Sequence, residues 1–374
     1  MRSQVLIDKT QTTNNEQRTT NHSAFRIPHW ENVRRVLVVR LRSIGDTVLT
    51  TPALIALRRF LPDAQIDVLL EDWVAPVLEG FDAVDNILTV KRGDTKDRLR
   101  AMYDLRRRGY DVAFNLHGGA TAGFFTFASG AKYRVGFDNY RNRFFYNILA
   151  PPASEFWRQE KTHSAEQQLA LLGWTGVPVA DRPKTLLSVK PELDDFAARI
   201  FRQYEIDENY PFALIHPASV FATKQWAVEN FAAVVRHLYD RGIISVAVGT
   251  KDDLPTLMDL FNTSPLAVLL HNKTLPEITA MAAKAKVFVG NDSGIAHIAA
   301  AVKTPTVVVF GSSNVAHWRP WTDAPNEVVT ENLPCAPCAG YKCAEFDEPQ
   351  CIRRITVERV TAAVERVLTK SGLG

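Results

Sequence analysis

Cysteine is scarce in this chain of 374 residues: there are four, all between Cys335 and Cys351. A disulfide framework spread over the fold is therefore excluded. Long apolar runs are missing too. The best candidates, PTVVVFG and PLAVLLH, are strand-sized, well short of the roughly 18 residues that span a bilayer. The N-terminus, MRSQVLIDKTQTTNNEQRTTNHS, has neither an apolar core of signal-peptide length nor a small-residue cleavage site, so a cytoplasmic location is expected. No charge of one sign dominates. Lys+Arg is 44 and Asp+Glu is 41, a net charge of +3, too mild to indicate a nucleic-acid partner. No GxGxxG follows the first apolar run, which counts against a nicotinamide-dependent oxidoreductase. With 46% hydrophobic and 23% charged residues, wholesale disorder and a fibrous repeat are also excluded.

What is present is alternation. Residues 1–32 are rich in Thr, Asn and Gln and read as a disordered tail. Val36, Leu37, Val38 and Val39 then form a continuous apolar run, the mark of a strand buried on both faces. A glycine turn, SIGD, leads to TPALIALRRFL, where Pro52 either starts a helix or kinks one that begins near Asp46. Strand-like and helix-like segments alternate to YRVGF, and a second series runs from FALIHPAS to TPTVVVFG. This predicts an α/β protein of two doubly wound units, residues 33–185 and 186–355, facing a central cleft, followed by a helix over 356–374.

Five constellations carry candidate chemistry. Ser43-Ile44-Gly45-Asp46 places Asp46 at a helix start, as a general base or as an N-cap; the segment alone favours the cap. Gly290-Asn291-Asp292-Ser293-Gly294 joins a strand to a helix amino end, which attracts phosphate. There Ser293 and Gly294 leave room for an anion, Asp292 organises the loop, and His297 is one turn along. His216 through Trp226 offers Lys224 and the Ser219 hydroxyl to a diphosphate; a solvated lysine before a helix is an equal reading. Cys335, Cys338, Cys343 and Cys351 either hold structural zinc tetrahedrally or remain free thiols. The first unit is rich in arginine, including Arg143, which suits an anionic acceptor or membrane headgroups. His163 and Glu166 share a helix face and contact either that acceptor or each other.

Taken together and in this order, RVLVVRLRSIGDTVLTTPALIALRRFLPDAQIDVLL, HSAEQ, KQW and VGNDSGIAHIAAAVKTPTVVVFG resemble the ADP-heptose:lipopolysaccharide heptosyltransferases of glycosyltransferase family 9. The tail CAPCAGYKCAEFDEPQCIRRITVERV is similar to that of the heptosyltransferase II and III branch. The resemblance implies a GT-B fold, with the acceptor domain first, the nucleotide-sugar domain second, and the final helix packed back on the first domain. It implies inverting transfer from ADP-heptose to an acidic lipopolysaccharide core acceptor, with no cofactor required, at the cytoplasmic face of the inner membrane. Asp46 then matches the catalytic base, and Ser219, Lys224, Asp292, Ser293, Gly294 and His297 fall to the donor. His163, Glu166 and Arg143 fall to the acceptor. A related transferase using another nucleotide sugar, or a non-catalytic nucleotide-binding protein of the same fold, are the alternatives.

Overall fold

The computed structural model describes residues 28–338 and 340–372. Most of the tail expected to be disordered lies outside the described residues, but its end does not. A short turn at Trp30–Asn32 packs on the body: Trp30 Nε1 donates to the Thr175 carbonyl at 2.7 Å, and its ring meets Phe60 edge-on at 5.3 Å. Order thus begins before residue 33.

The first half contains β1 (Arg35–Leu41), α1 (Ile44–Val48), α2 (Thr51–Phe60), β2 (Gln65–Glu71), β3 (Asn86–Val90), α3 (Thr95–Arg108) and β4 (Val112–Asn115). It continues with α4 (Ala120–Ala128), β5 (Tyr133–Phe137), β6 (Ile148–Ala150), α5 (Ala153–Trp157) and α6 (Ser164–Gly173). After α7 (Phe196–Gln203), the second half holds β7 (Phe212–His216), α8 (Val228–Asp240), β8 (Ile244–Gly249), α9 (Leu254–Thr263), β9 (Ala267–His271) and α10 (Leu275–Lys284). It closes with β10 (Val287–Asn291), α11 (Gly294–Ala301), β11 (Thr306–Phe310), α12 (Val315–Trp318), β12 (Asn326–Thr330), α13 (Gln350–Arg353) and α14 (Val357–Lys370). The Pro52 alternative resolves in favour of two helices: α1 ends at Val48, and Pro52 occupies the first turn of α2, where its missing N–H costs nothing.

The six strands of each half form an all-parallel sheet. The orders are β3-β2-β1-β4-β5-β6 and β12-β11-β10-β7-β8-β9. Counted within its own half, each sheet has the same order, with the reversal between its first and fourth strands. At such a switch point the crossovers leave in opposite directions and open a crevice beyond the strand ends. The short edge strands β6 and β12 were not foreseen. β6 has only three residues, and β12, NEVVT, is interrupted by polar ones, so neither shows the continuous apolar run that marks the central strands.

One apolar cluster runs through both halves, from Leu54 and Leu57 of α2 and Leu169 of α6 to Met281 of α10 and Ile298 of α11. The halves therefore share core. The final helix departs from expectation, because it packs on the second sheet instead of returning to the first. Val360, Ala363, Val364 and Val367 of α14 are buried with Ala213, Val287, Val307 and Val329. His237–Glu365 and Arg366–Glu327 ion pairs border that contact. Its apolar stripe is satisfied there, which leaves no apolar face for the first domain.

Candidate active site

At the first switch point, β1 delivers Arg40 and α1 delivers Asp46. Asp46 is the third residue of α1 and not its cap: Oδ2 accepts from the Ser43 Oγ–H at 3.0 Å and the Ser43 N–H at 3.3 Å. Its other oxygen pairs with Arg40, which is 7% exposed and also donates to the Leu116 carbonyl. One carboxylate thus closes the helix start and faces a cavity of about 330 Å³. The cap is Ser43, so the N-cap reading of Asp46 gives way to the third position of a capping box, a role compatible with a general base because the two oxygens have different partners.

The cavity collects residues from distant segments: His117 beyond β4, Tyr140 beyond β5, Gln167 and Gln168 of α6, and His317 and Trp318 of α12. Sequence reasoning singled out none of these six. The HSAEQ motif pointed to the right helix: its Ser164 and Gln167 line the cavity, with Gln168 immediately after it. His117 Nδ1 and Gln168 Oε1 are buried and have no partner among the described residues, the condition of groups that await a polar ligand. Burial, reinforced by the Arg40 guanidinium, holds the His117 imidazole below its ordinary pKa, so it is neutral at pH 7.

At the second switch point, Lys224 Nζ donates to Asp292 Oδ2 at 2.8 Å, and Ser313 Oγ donates to the same oxygen. Asn291 locks the loop: its Oδ1 accepts from the Trp226 N–H at 3.0 Å, and its Nδ2 donates to the Pro217 carbonyl at 2.7 Å. The KQW and GND segments are therefore two sides of one joint. Ser293 Oγ caps α11 by accepting from Ala296 N–H at 3.4 Å and lies 3.1 Å from His216 Nδ1. Ser219 follows β7 on the same loop and is half-buried.

The two crevices meet where α1 packs on α11. A Cβ on Gly45 would come within 2.7 Å of the His297 ring, and one on Gly294 within 2.7 Å of Ile44. Both glycines serve this close approach. The space beside Gly294 where a side chain would stand is taken by Ile44, so on that side the glycine serves the helix contact. His297 is buried between the helices, and its Nδ1 has no partner among the described residues. Burial holds its pKa down against the pull of both Asp292 and Asp46.

His163 and Glu166 do not reach the cavity as acceptor contacts. His163 caps α6: its Nδ1 accepts from Ala165 N–H at 3.1 Å, so Nε2 carries the proton toward the Arg319 carbonyl at 2.8 Å. Its ring stacks on Trp321 at 4.6 Å, and burial lowers its pKa to about 3. Glu166 accepts from the His163 N–H and pairs with Arg182 at 2.6 Å. All their polar atoms are engaged in the interior. Arg143 is exposed on the β5–β6 loop and is not among the residues around the cavity.

The four cysteines are free thiols around a second cavity of about 230 Å³. Burial raises the Cys351 pKa, and the other three thiols add to the rise. No group of three or more His, Cys, Asp or Glu among the described residues is placed to hold a metal. The segment buttresses the lysine loop. Cys338 N–H donates to the Ser312 carbonyl, Thr223 Oγ1 donates to the Gly340 carbonyl, and Tyr341 lies against Phe221 at 4.5 Å.

A family model described as glycosyltransferase family 9 (heptosyltransferase) matches residues 98–347. A curated relative, lipopolysaccharide heptosyltransferase 3 of Escherichia coli, is 28% identical over 76% of this chain and 85% of its own length. Among solved structures, a family 9 glycosyl transferase from Veillonella parvula superposes with a TM-score of 0.78 at 20% identity, covering 90% of this chain and 97% of that one. The E. coli ADP-heptose lps heptosyltransferase II gives 0.75 at 20% identity, covering 90% and 99%.

Proposed function

The chain belongs to glycosyltransferase family 9 and is a transferase; from that premise we propose that it moves a heptose from ADP-heptose to a hydroxyl of an acidic lipopolysaccharide core, with inversion. The observation that carries this reading is the pairing across the α1–α11 contact: a carboxylate open to a polar cavity on one side, and a lysine at a strand-to-helix loop on the other.

The acceptor oxygen attacks the anomeric carbon while the bond from that carbon to the diphosphate oxygen breaks on the opposite face. Asp46 takes the hydroxyl proton as attack proceeds. The Arg40 guanidinium fixes the carboxylate, while neutral His117 and Gln168 offer hydrogen bonds to the sugar. Lys224 meets the leaving diphosphate, its Asp292 partner holding it in place until donor arrives. Lys224 and the amino end of α11 supply the positive charge, so the reading calls for no metal at the diphosphate. The rest of the diphosphate contact falls to Ser219 and Ser293.

The acceptor is a glycolipid, so the enzyme would work at the cytoplasmic face of the inner membrane. No helix among the described residues is long and apolar enough to cross a membrane, and a peripheral contact is compatible with that. The test is incubation with ADP-heptose and core acceptors, with other nucleotide sugars in parallel, read by product mass and anomeric configuration. A heptosylated product of inverted configuration is expected. Transfer from another nucleotide sugar alone, or ADP binding without transfer, would overturn the reading.

A further inference from the structure

An aromatic group lies outside the cavities, on α4 and on the loop between β5 and β6. Phe124, Phe127 and Phe144 are 41%, 48% and 72% exposed. Phe145 sits among them, its ring centroid 6.2 Å from Phe124, 5.7 Å from Phe127 and 4.4 Å from Phe144. These are contiguous rings, unlike the scattered single apolar residues of an ordinary surface.

The ground beneath them is stiff. Gly123 lets α4 approach the loop so closely that a Cβ there would come within 2.7 Å of Tyr146 Oη and 2.9 Å of Phe145. Tyr146 Oη in turn accepts from Asn115 Nδ2 at 2.6 Å. The rings therefore cannot fold inward to hide.

The charge on the surrounding stretch of chain is mainly positive. From Gly118 to Asn147 the chain carries Lys132, Arg134, Arg141 and Arg143 against the single acid Asp138. The Arg134 guanidinium lies 5.5 Å from the centre of the Phe127 ring, and Arg141 and Arg143 are exposed. The same loop turns Tyr140 into the cavity beside Asp46, so the patch lies on the rim of the acceptor side.

We propose that this aromatic patch docks the protein on an anionic lipid bilayer, with the phenyl rings entering the interface and Arg141 and Arg143 meeting headgroup phosphates. Apolar rings flanked by cations match both layers of such a surface. The proposal rests on the reading of the acceptor as a glycolipid. A sugar anchored in the bilayer would then reach Asp46 along the Tyr140 loop without leaving the membrane.

The experiment uses the full chain and vesicles of phosphatidylethanolamine with phosphatidylglycerol, with phosphatidylcholine vesicles as control. Co-sedimentation is measured at low salt and at about 0.3 M salt. The parent is expected to bind the anionic vesicles, more weakly at high salt, and to ignore phosphatidylcholine. The Phe127→Ser/Phe144→Ser variant should bind at least about tenfold more weakly, with unchanged melting temperature and unchanged turnover of a soluble, delipidated acceptor. Absence of vesicle binding by the parent, or equal binding by the variant, would overturn the proposal. So would a dimer that the substitutions dissolve, with no lipid binding, because the patch would then join two copies of the chain. Vesicle binding through the patch without heptose transfer would sink the catalytic reading alone. Transfer to the soluble acceptor without vesicle binding would sink the docking alone.

Discussion

Replacing Asp46 with Asn separates its two roles. Asn keeps the size and one carbonyl oxygen, but removes the charge that pairs with Arg40 and the basic oxygen that would take the acceptor proton. Loss of a general base lowers turnover by roughly 100- to 10,000-fold, which is about 2.7–5.5 kcal/mol of transition-state stabilisation. Loss of the charge-assisted contact to a buried Arg40 costs about 1.5–3 kcal/mol of stability. The companion variant is Ser43→Ala, which removes only the hydroxyl that donates to Oδ2 at 3.0 Å. A lost cap contact costs about 1 kcal/mol and leaves the Arg40 pair in place. The two variants should therefore diverge in kcat far more than in melting temperature. Initial rates, ADP titration calorimetry and thermal melts on both variants make the comparison. Near-normal turnover by folded Asp46→Asn, or an equal loss of turnover in Ser43→Ala, would return Asp46 to a purely structural role.

Lys224→Ala should weaken donor binding and slow transfer by about tenfold or more, and Lys224→Arg should restore part of it; donor titration and initial rates decide. Gly45→Ala should cost about 1–3 kcal/mol from overpacking, because the new methyl would meet the His297 ring at 2.7 Å; denaturant unfolding reads this out. His163 has a folded pKa of about 3 against an ordinary 6.5. The unfolded state binds its proton first, so this contribution is present above pH 6.5 and is lost as pH falls toward 3. Melts across that window should show the parent losing on the order of 1 kcal/mol per pH unit, and His163→Asn a shallower slope. Cys335→Ser/Cys338→Ser should lower the melting temperature by loosening the segment against Ser312 and Thr223, while kcat stays within about threefold. Metal analysis of the purified protein accompanies the melt, and a fully folded variant that cannot transfer sugar would place the active site elsewhere.

Alternation and burial on both faces are local properties, and the chain carries them in plain view. The run Val36–Val39, the strand-to-helix joints at SIGD and GNDSG, and the stripe of valines in the last helix were all legible, because each depends on neighbours a few residues away. The order of motifs likewise pointed to the family. Side-chain destination is another matter. His163 and Glu166 lie in a legible motif, yet the docking of α6 turns them inward and presents Gln167 and Gln168 to the cavity. Gly45 and Gly294 look like ligand-binding glycines until the two helices are seen to touch through them. The α14 stripe says that the helix has a partner, not which sheet supplies it. The strand order that sets β1 beside β4 and β7 beside β10 is written in no single segment, because long-range pairing has no local period. That order alone brings Arg40, Asp46 and His117 to one crevice and Lys224 and Asp292 to the other, and the shared core brings the two crevices together.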